Sequence, residues 1–335
     1  AHCIVQLVKY TGGKISIDQR EVSDLTKNDI TRNIGFVSQT PFIFEGSIEE
    51  NLLYAVKANA EQERSDSKLQ MPGLDDRILV LQQTGLFPDV LRFGLNAVLD
   101  KNKHKDIIAE ILNVRKTFRK DYGKDLAEYI EFYDRDNYLY HSSVAENILF
   151  GDPIDEAFKT TNLPHNKTFI EFLAEAGLRK PLLDSGVALI EELIKFSDQR
   201  SSSDEVLEFG LVDPQEIEAY KRGLYKVKKK GIQNISAKVS RKILKLMLEF
   251  IPQRHKFFHL PRELEQKILK GRGLFKEKIS ETTPDAIAFC QMARYMFAQS
   301  ILTNIFFGKL KKESATAREK VNTCIHQLLI QEEFL

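Results

Sequence analysis

One pattern runs through this chain three times without a gap, and it commits three separate stretches to the same local path. It reads Ile-x-Phe, then ten residues, then Ser-[Ile/Val]-x-x-Asn, two apolar residues and an aromatic. The copies are Ile34 to Ala55, Ile130 to Gly151 and Ile287 to Gly308. Phe36, Phe132 and Phe289 stand in register, as do Ser47, Ser143 and Ser300, Asn51, Asn147 and Asn304, and Tyr54, Phe150 and Phe307.

The unit predicts a short apolar strand, a loop and a helix start, because each serine is placed to accept a hydrogen bond from the first helical turn. Ser47-x-x-Glu50 and Ser143-x-x-Glu146 complete a capping box, whereas the third copy has Thr303 in place of the acid. The copies begin at Ile34, Ile130 and Ile287, spacings too wide and uneven for a solenoid. Duplication of one strand–loop–helix element inside a larger domain fits better than three unrelated capped helices.

At 335 residues the chain can bury a sizeable core, and its length favours two or three structural units. A balance of 49 basic against 48 acidic side chains points to no polyanionic partner globally. Cys3, Cys290 and Cys324 are odd in number and far apart, which suits reduced thiols better than a disulfide framework. Histidines are scattered, and pairs such as His255/His259 or Cys324/His326 supply fewer ligands than a structural zinc needs. No stretch approaches the roughly 20 apolar residues of a membrane span. The chain opens on an apolar run and stops within a helical pattern, so it reads as a piece of something longer.

Along the chain, residues 1–10 read as the end of a helix or a buried segment, Lys14–Asp18 as a short strand, Asp24–Arg32 as helix and Ile34–Val37 as strand. A polar stretch, 59–76, leaves this mixed opening. Helical spacing then dominates, with a further polar break at 197–205. Residues 221–256 hold twelve Lys or Arg and one acid, Glu249. That run can face anionic lipid headgroups or nucleic acid. A solvated helix face is the plainer reading, and without an aromatic ladder for stacking bases nucleic acid ranks low.

The first 55 residues resemble the nucleotide-binding domain of exporter-like ATP-binding cassette (ABC) transporters. Gly13-Lys14-Ile15-Ser16-Ile17-Asp18 is similar to the strand after that family's phosphate loop, with Gln19 where a glycine is usual. Arg32 to Gln39 resembles the approach to the family's Q-loop, and Pro41 to Asn51 its exit. The closing stretch from Asn304 resembles the helical subdomain that precedes the signature motif. The resemblance implies a fold that is α/β at the N-terminus, a partial P-loop NTPase cassette, followed by a large, mainly α-helical insertion and predominantly helical overall. It implies residues 1–56 as the partial cassette, 57–283 as the insertion and 284–335 as the segment leading toward the signature.

The same resemblance implies ATP and magnesium as cofactors of the parent protein, with Gln39 reaching the metal and the attacking water. A neutral amide suits that role because its oxygen coordinates a hard cation without adding charge. Thr40, Pro41, Phe42, Phe44 and Glu45 are implied as the surface that receives a coupling helix. The implied partners are the transporter's transmembrane domain and a second nucleotide-binding domain, at the cytoplasmic side of the cell membrane. No Gly-x-x-x-x-Gly-Lys-[Ser/Thr], signature or Walker B sequence is present, so no ATP turnover is expected from this chain alone.

At the Gln39 position the second copy has Arg135 and the third Met292, which predicts architectural roles for both later copies. The third copy is nonetheless the one nearest the expected signature. A non-catalytic helical interaction or regulatory protein keeping a remnant cassette segment is the competing class. A soluble cassette ATPase working on nucleic acid is a third, disfavoured by the exporter-like phrase Phe44 to Asn51.

Overall fold

Helices dominate the residues described by the computed structural model, 1–62, 71–198, 210–311 and 315–331. The chain divides into two compact units, 1–91 and 92–335. In the first, β1 (Ser16–Ile17) and β2 (Arg20–Glu21) form an antiparallel hairpin. Its two turn residues, Asp18 and Gln19, have φ of 50° and 66°. Gln19 therefore occupies a left-handed position that glycine takes more cheaply.

Helix α1 (Lys27–Asn33) starts at a Thr26/Asp29 capping box, and α2 (Ile48–Gln62) starts at Ser47, whose hydroxyl accepts the Glu50 N–H at 3.1 Å. Helix α3 (Leu74–Gln83) follows, with Arg77 paired to Glu49 of α2. Two expectations fail here. Residues 1–10 form turns, with Leu7 and Val8 exposed, Gln6 donating to the carbonyls of Val22 and Leu25, and the Tyr10 hydroxyl donating to Glu21 at 3.1 Å. Residues 34–37 form no strand, and Val37 is exposed. A strand needs a partner, and residues 34–37 pair with neither strand of the β1–β2 hairpin.

Helix α4 (Phe87–Asn96) leads into the second unit, where α5 (Lys105–Tyr122) is followed by β3 (Ile130–Phe132), α6 (Val144–Leu149) and β4 (Gly151–Pro153). Four long helices come next: α7 (Lys167–Glu175), α8 (Arg179–Asp198), α9 (Ile217–Lys230) and α10 (Ala237–Glu249). Then α11 (Arg262–Thr282), β5 (Ile287–Phe289), α12 (Ile301–Phe306) and β6 (Gly308–Leu310) restate the earlier order, before α13 (Ala315–Gln331). The main core lies among α6 to α11, where Phe275 meets Phe158, Phe169 and Phe172 edge-on.

The second and third copies are interlocked. Strand β3 pairs with β6 and β4 with β5, so each copy's first strand pairs with the other's last. The registers correspond residue for residue. Ile130 opposes Leu310 as Ile287 opposes Pro153, and Phe132 opposes Gly308 as Phe289 opposes Gly151. Beyond the strands, the Tyr133 N–H donates to Phe307 O and the Cys290 N–H to Phe150 O, both at 2.9 Å. Helix α12 packs on α5 and α6 on α11, completing a local twofold arrangement.

The basic stretch falls on α9, α10 and the segments around them. Lys221 pairs with Asp198, Lys228 with Glu191 and Lys242 with Glu216, and Lys242 also lies over the Tyr220 ring. Part of the charge is thus neutralised by acids of neighbouring helices. The polar break at 197–205 lies mostly outside the described residues, as does much of 59–76.

Candidate functional site

Gln39 and residues 40–45 are exposed, on the loop between α1 and α2. The loop is held in shape by Asn51, whose side chain accepts from the Phe44 N–H at 2.9 Å and donates to Phe44 O at 3.0 Å. Phe44 in turn stacks on Tyr54 with centroids 4.0 Å apart, and Phe42 meets Phe44 edge-on. Phe42 and Ile43 stay 79% and 76% exposed. The expected coupling residues thus make a preshaped apolar tip rather than core.

Gln39, which the resemblance implies as a magnesium contact, lies on this exposed loop, and among the described residues no phosphate cradle accompanies it. Gly12 and Gly13 lead into β1, not into a helix whose N-terminus would face a phosphate. These residues do not make up a nucleotide site, and no reaction step follows from them.

In the later copies the corresponding loops are gripped from outside. Asn147 and Asn304, both fully buried, bridge their loops as Asn51 does, through Leu139 and Met296 respectively. Each asparagine is also bound by a buried arginine from the partner half. Arg115, on α5, donates from Nε to Asn304 O at 2.6 Å and from Nη2 to Asn304 Oδ1 at 2.7 Å. Its Nη1 donates to the carbonyls of Gln291, Met292 and Arg294 at 3.3, 3.1 and 2.8 Å.

Arg272, on α11, repeats this with Asn147 O and Oδ1 at 2.7 and 2.6 Å, and with the carbonyls of Asp134, Arg135 and Asn137. No carboxylate binds either guanidinium in these contacts. Burial pulls both pKa values down to about 10, so both remain charged at neutral pH. Five oxygen acceptors and a ring face, Phe307 under Arg115 at 4.4 Å and Phe150 under Arg272 at 4.5 Å, replace the lost water. Those rings belong to residues held at φ of 47° and 43°, where the short helices end and the chain turns into β6 and β4.

The arginines were legible, but outside the pattern that announces the repeat. Arg115 and Arg272 are spaced as Ile130 and Ile287 are, 157 residues apart, and in the same gapless register lie Ile111/Ile268, Leu112/Leu269 and Phe118/Phe275. The repeated unit therefore includes the preceding helix. The first copy has Gln19 at the arginine position and Ala55 where Gly151 and Gly308 stand. There the helix runs on through Tyr54 to Gln62.

Two cavities flank the interlock. One, of about 470 Å³, is lined by Glu146, Asp152, Gln299 and Lys309 among others. Gln299 Nε2 donates to Asp152 Oδ2 at 3.0 Å, and Lys309 pairs with Glu146 at 2.6 Å. Burial pushes the Asp152 carboxyl up, partly offset by the Gln299 hydrogen bond. Burial likewise pushes the Cys290 thiol, in the same lining, up to about 12.

For a carboxyl raised on folding, stability is unaffected below the ordinary aspartate range, falls as pH rises through it, and stays reduced above the folded value. Asp152→Asn keeps an acceptor for Gln299 and removes the charge. It is expected to raise the unfolding midpoint at neutral pH, with the gain gone at about pH 3, below the ordinary aspartate value. Melting curves at both pH values check this, and equal midpoints at neutral pH would remove burial of the charge as a cost.

The other cavity, of about 600 Å³, is lined by Arg119, Arg135, Arg272 and Lys276 together with aromatic side chains. Arg135 and Met292, the counterparts of Gln39, both lie at its edge, and their carbonyls are held by the buried arginines. In the later copies the backbone at this position is thus tied into the interlock.

Part of this chain is similar to curated ATP-binding proteins of ABC transporters. It is 41% identical over 51 residues to an uncharacterized ABC transporter ATP-binding protein of Bacillus subtilis, covering 15% of this chain and 8% of that protein. It is 37% identical over 106 residues to the pediocin PA-1 transport/processing ATP-binding protein of Pediococcus acidilactici, covering 32% and 14%. It is 31% identical over 80 residues to the mesentericin-Y105 transport/processing ATP-binding protein of Leuconostoc mesenteroides, covering 24% and 11%. The chain spans only about a tenth of the length of these relatives. No family model matches, and no solved structure matches. No helix among the described residues is long and apolar enough to cross a membrane.

Proposed function

We propose that this chain is part of the ATP-binding portion of an ABC transporter, in which ATP binding and hydrolysis drive transmembrane transport. Partial similarity to ABC ATP-binding proteins supports the relationship. The observation that carries the assignment within the chain is the first copy's loop, where a clamped backbone presents Phe42 and Ile43 outward beside Gln39. An exposed apolar tip with a fixed backbone is what a receiving surface needs, since little ordering cost remains on docking.

In this reading Thr40, Pro41, Phe42, Phe44 and Glu45 receive the transmembrane domain, and Gln39 reports on the magnesium and water of a nucleotide site completed outside these residues. The parent hydrolyses ATP with magnesium, pairs with a second nucleotide-binding domain and sits at the cytoplasmic side of the membrane. The chain itself is not catalytic. Residues 1–56 are the cassette-like part, 57–283 the helical insertion and 284–335 the approach to the signature. The basic stretch 221–256 rests near anionic lipid.

The test uses the full-length product of the gene, purified in detergent and reconstituted in vesicles. Gln39→Ala is expected to lower ATP turnover roughly 10–100-fold, the usual loss when a group orienting a metal or its water is removed. Met292→Ala should leave turnover unchanged. The reverse pattern would place the working loop in the third copy, and no ATP turnover by the full-length protein would favour a non-catalytic interaction protein.

A further inference from the structure

The cavity of about 600 Å³ on the local twofold has a composition that the architecture alone does not require. Its size is that of a small-molecule site. Arg119 and Lys276 both line it and correspond to each other across the repeat, so each half contributes a cation from the turn after its buried arginine. Arg135 adds a third from the loop after β3.

Arg272, also in the lining, is committed to its five oxygen acceptors. The single carboxylate of the lining, Asp134, is engaged by the Asp136 N–H and the Asn137 amide at 2.9 and 2.8 Å. Asp134, which also attracts Arg119, offsets one of the three cations Arg119, Arg135 and Lys276, so those four groups leave two positive charges beside the committed Arg272. The other titratable groups facing the cavity, Tyr133 and Cys290, are held neutral by burial.

The Arg119 guanidinium lies over the Phe132 ring at 3.9 Å, which fixes its plane and leaves its edge to donate. Phe289, Phe307 and Met292 supply an apolar wall. A cationic group of this kind, set beside aromatic faces in a partly desolvated cavity, matches a phosphate ester on an apolar body.

We propose that this cavity binds a phosphorylated small molecule with an aromatic body, its phosphate held by Arg119, Arg135 and Lys276 and its ring against Phe289 and Phe307. The phosphate then bridges α5 and α11, one from each half, so the bound molecule reinforces the interlock. The site is separate from the loop of Gln39 and stands or falls independently of the transport assignment.

Naphthyl phosphate is a suitable probe, because the chain has no tryptophan and the naphthyl emission is read against tyrosine alone. Saturable binding to the purified chain is expected, weakening as salt is added. Arg135→Gln and Lys276→Gln should each weaken it about tenfold, the loss of one charge-assisted contact. Naphthol should bind at least about tenfold more weakly than its phosphate for the same reason. Arg135 is exposed, so its variant retains the fold and decides the matter if the Lys276 variant melts early. Equal affinity for naphthol and its phosphate, parent-like affinity of both variants, or no saturable binding at millimolar probe would each overturn the proposal.

Discussion

Arg272→Met is expected to destabilise the second unit by about 3–5 kcal/mol, the range seen when one side of a buried charged contact is removed. For a unit of this size that lowers the melting midpoint by roughly 6–20 °C, at ~2–4 °C per kcal/mol. The loss comes less from the arginine than from what it leaves behind. The carbonyls of Asp134, Arg135 and Asn137 and both oxygens of Asn147 lose a donor, and methionine supplies none. Arg272→Lys should recover little, since an ammonium cannot span five acceptors in the plane of a guanidinium fork. Arg115→Met should cost a similar amount, because its five acceptors correspond one to one with those of Arg272. Calorimetric melts of the three variants check both claims. A fall of a degree or less in either methionine variant would show the clamp to be dispensable.

Gly308→Ala is expected to open the β3–β6 pair. A Cβ at Gly308 would lie 2.6 Å from the Glu131 carbonyl oxygen and 2.9 Å from Phe132 Cα. Both obstacles are backbone of the opposing strand, so they yield only if the strands part. Overpacking of this kind costs about 1–3 kcal/mol. The effect should be local in hydrogen exchange. The Tyr133 and Lys311 amides, which donate to Phe307 O and Tyr129 O, should lose protection, while the Cys290 amide across the local twofold keeps its own. Gly151→Ala should do the converse, since its Cβ would meet the Ala288 carbonyl oxygen at 2.6 Å. Unchanged exchange in both variants would mean that the strands adjust without cost. The first copy shows what the alanine permits, for Ala55 lies within a helix that continues past it.

What could be read in advance was local. Ser47, Ser143 and Ser300 cap their helices as expected, with the third copy using Thr303 where the others use glutamate, because a cap is decided by residues three apart. The predominance of helix beyond the opening follows the same logic of periodicity. Pairing was not legible. Ile34-Gly35-Phe36-Val37 has the composition of a strand and forms none, since strand formation depends on an edge supplied from elsewhere in the chain. Arg115 and Arg272 sit in ordinary helical sequence, and nothing nearby marks them as buried. Their shared register with Asn147 and Asn304 was the available signal, and it required extending the repeat toward the N-terminus. Gln39 stands apart, because its proposed role comes from resemblance and its setting in the chain is an exposed loop.

The reciprocal exchange of arginines also imposes a schedule on synthesis. Asn147 leaves the ribosome 125 residues ahead of Arg272, and Arg115 leaves 189 residues ahead of Asn304. At roughly 5–20 residues per second, the earlier half waits about 6–40 s for its counterpart. Through that interval β3 and β4 have unmatched edges and the Asn147 loop has no cation to close it. The length of the intervening helical segment therefore sets how long the earlier half stays unclosed.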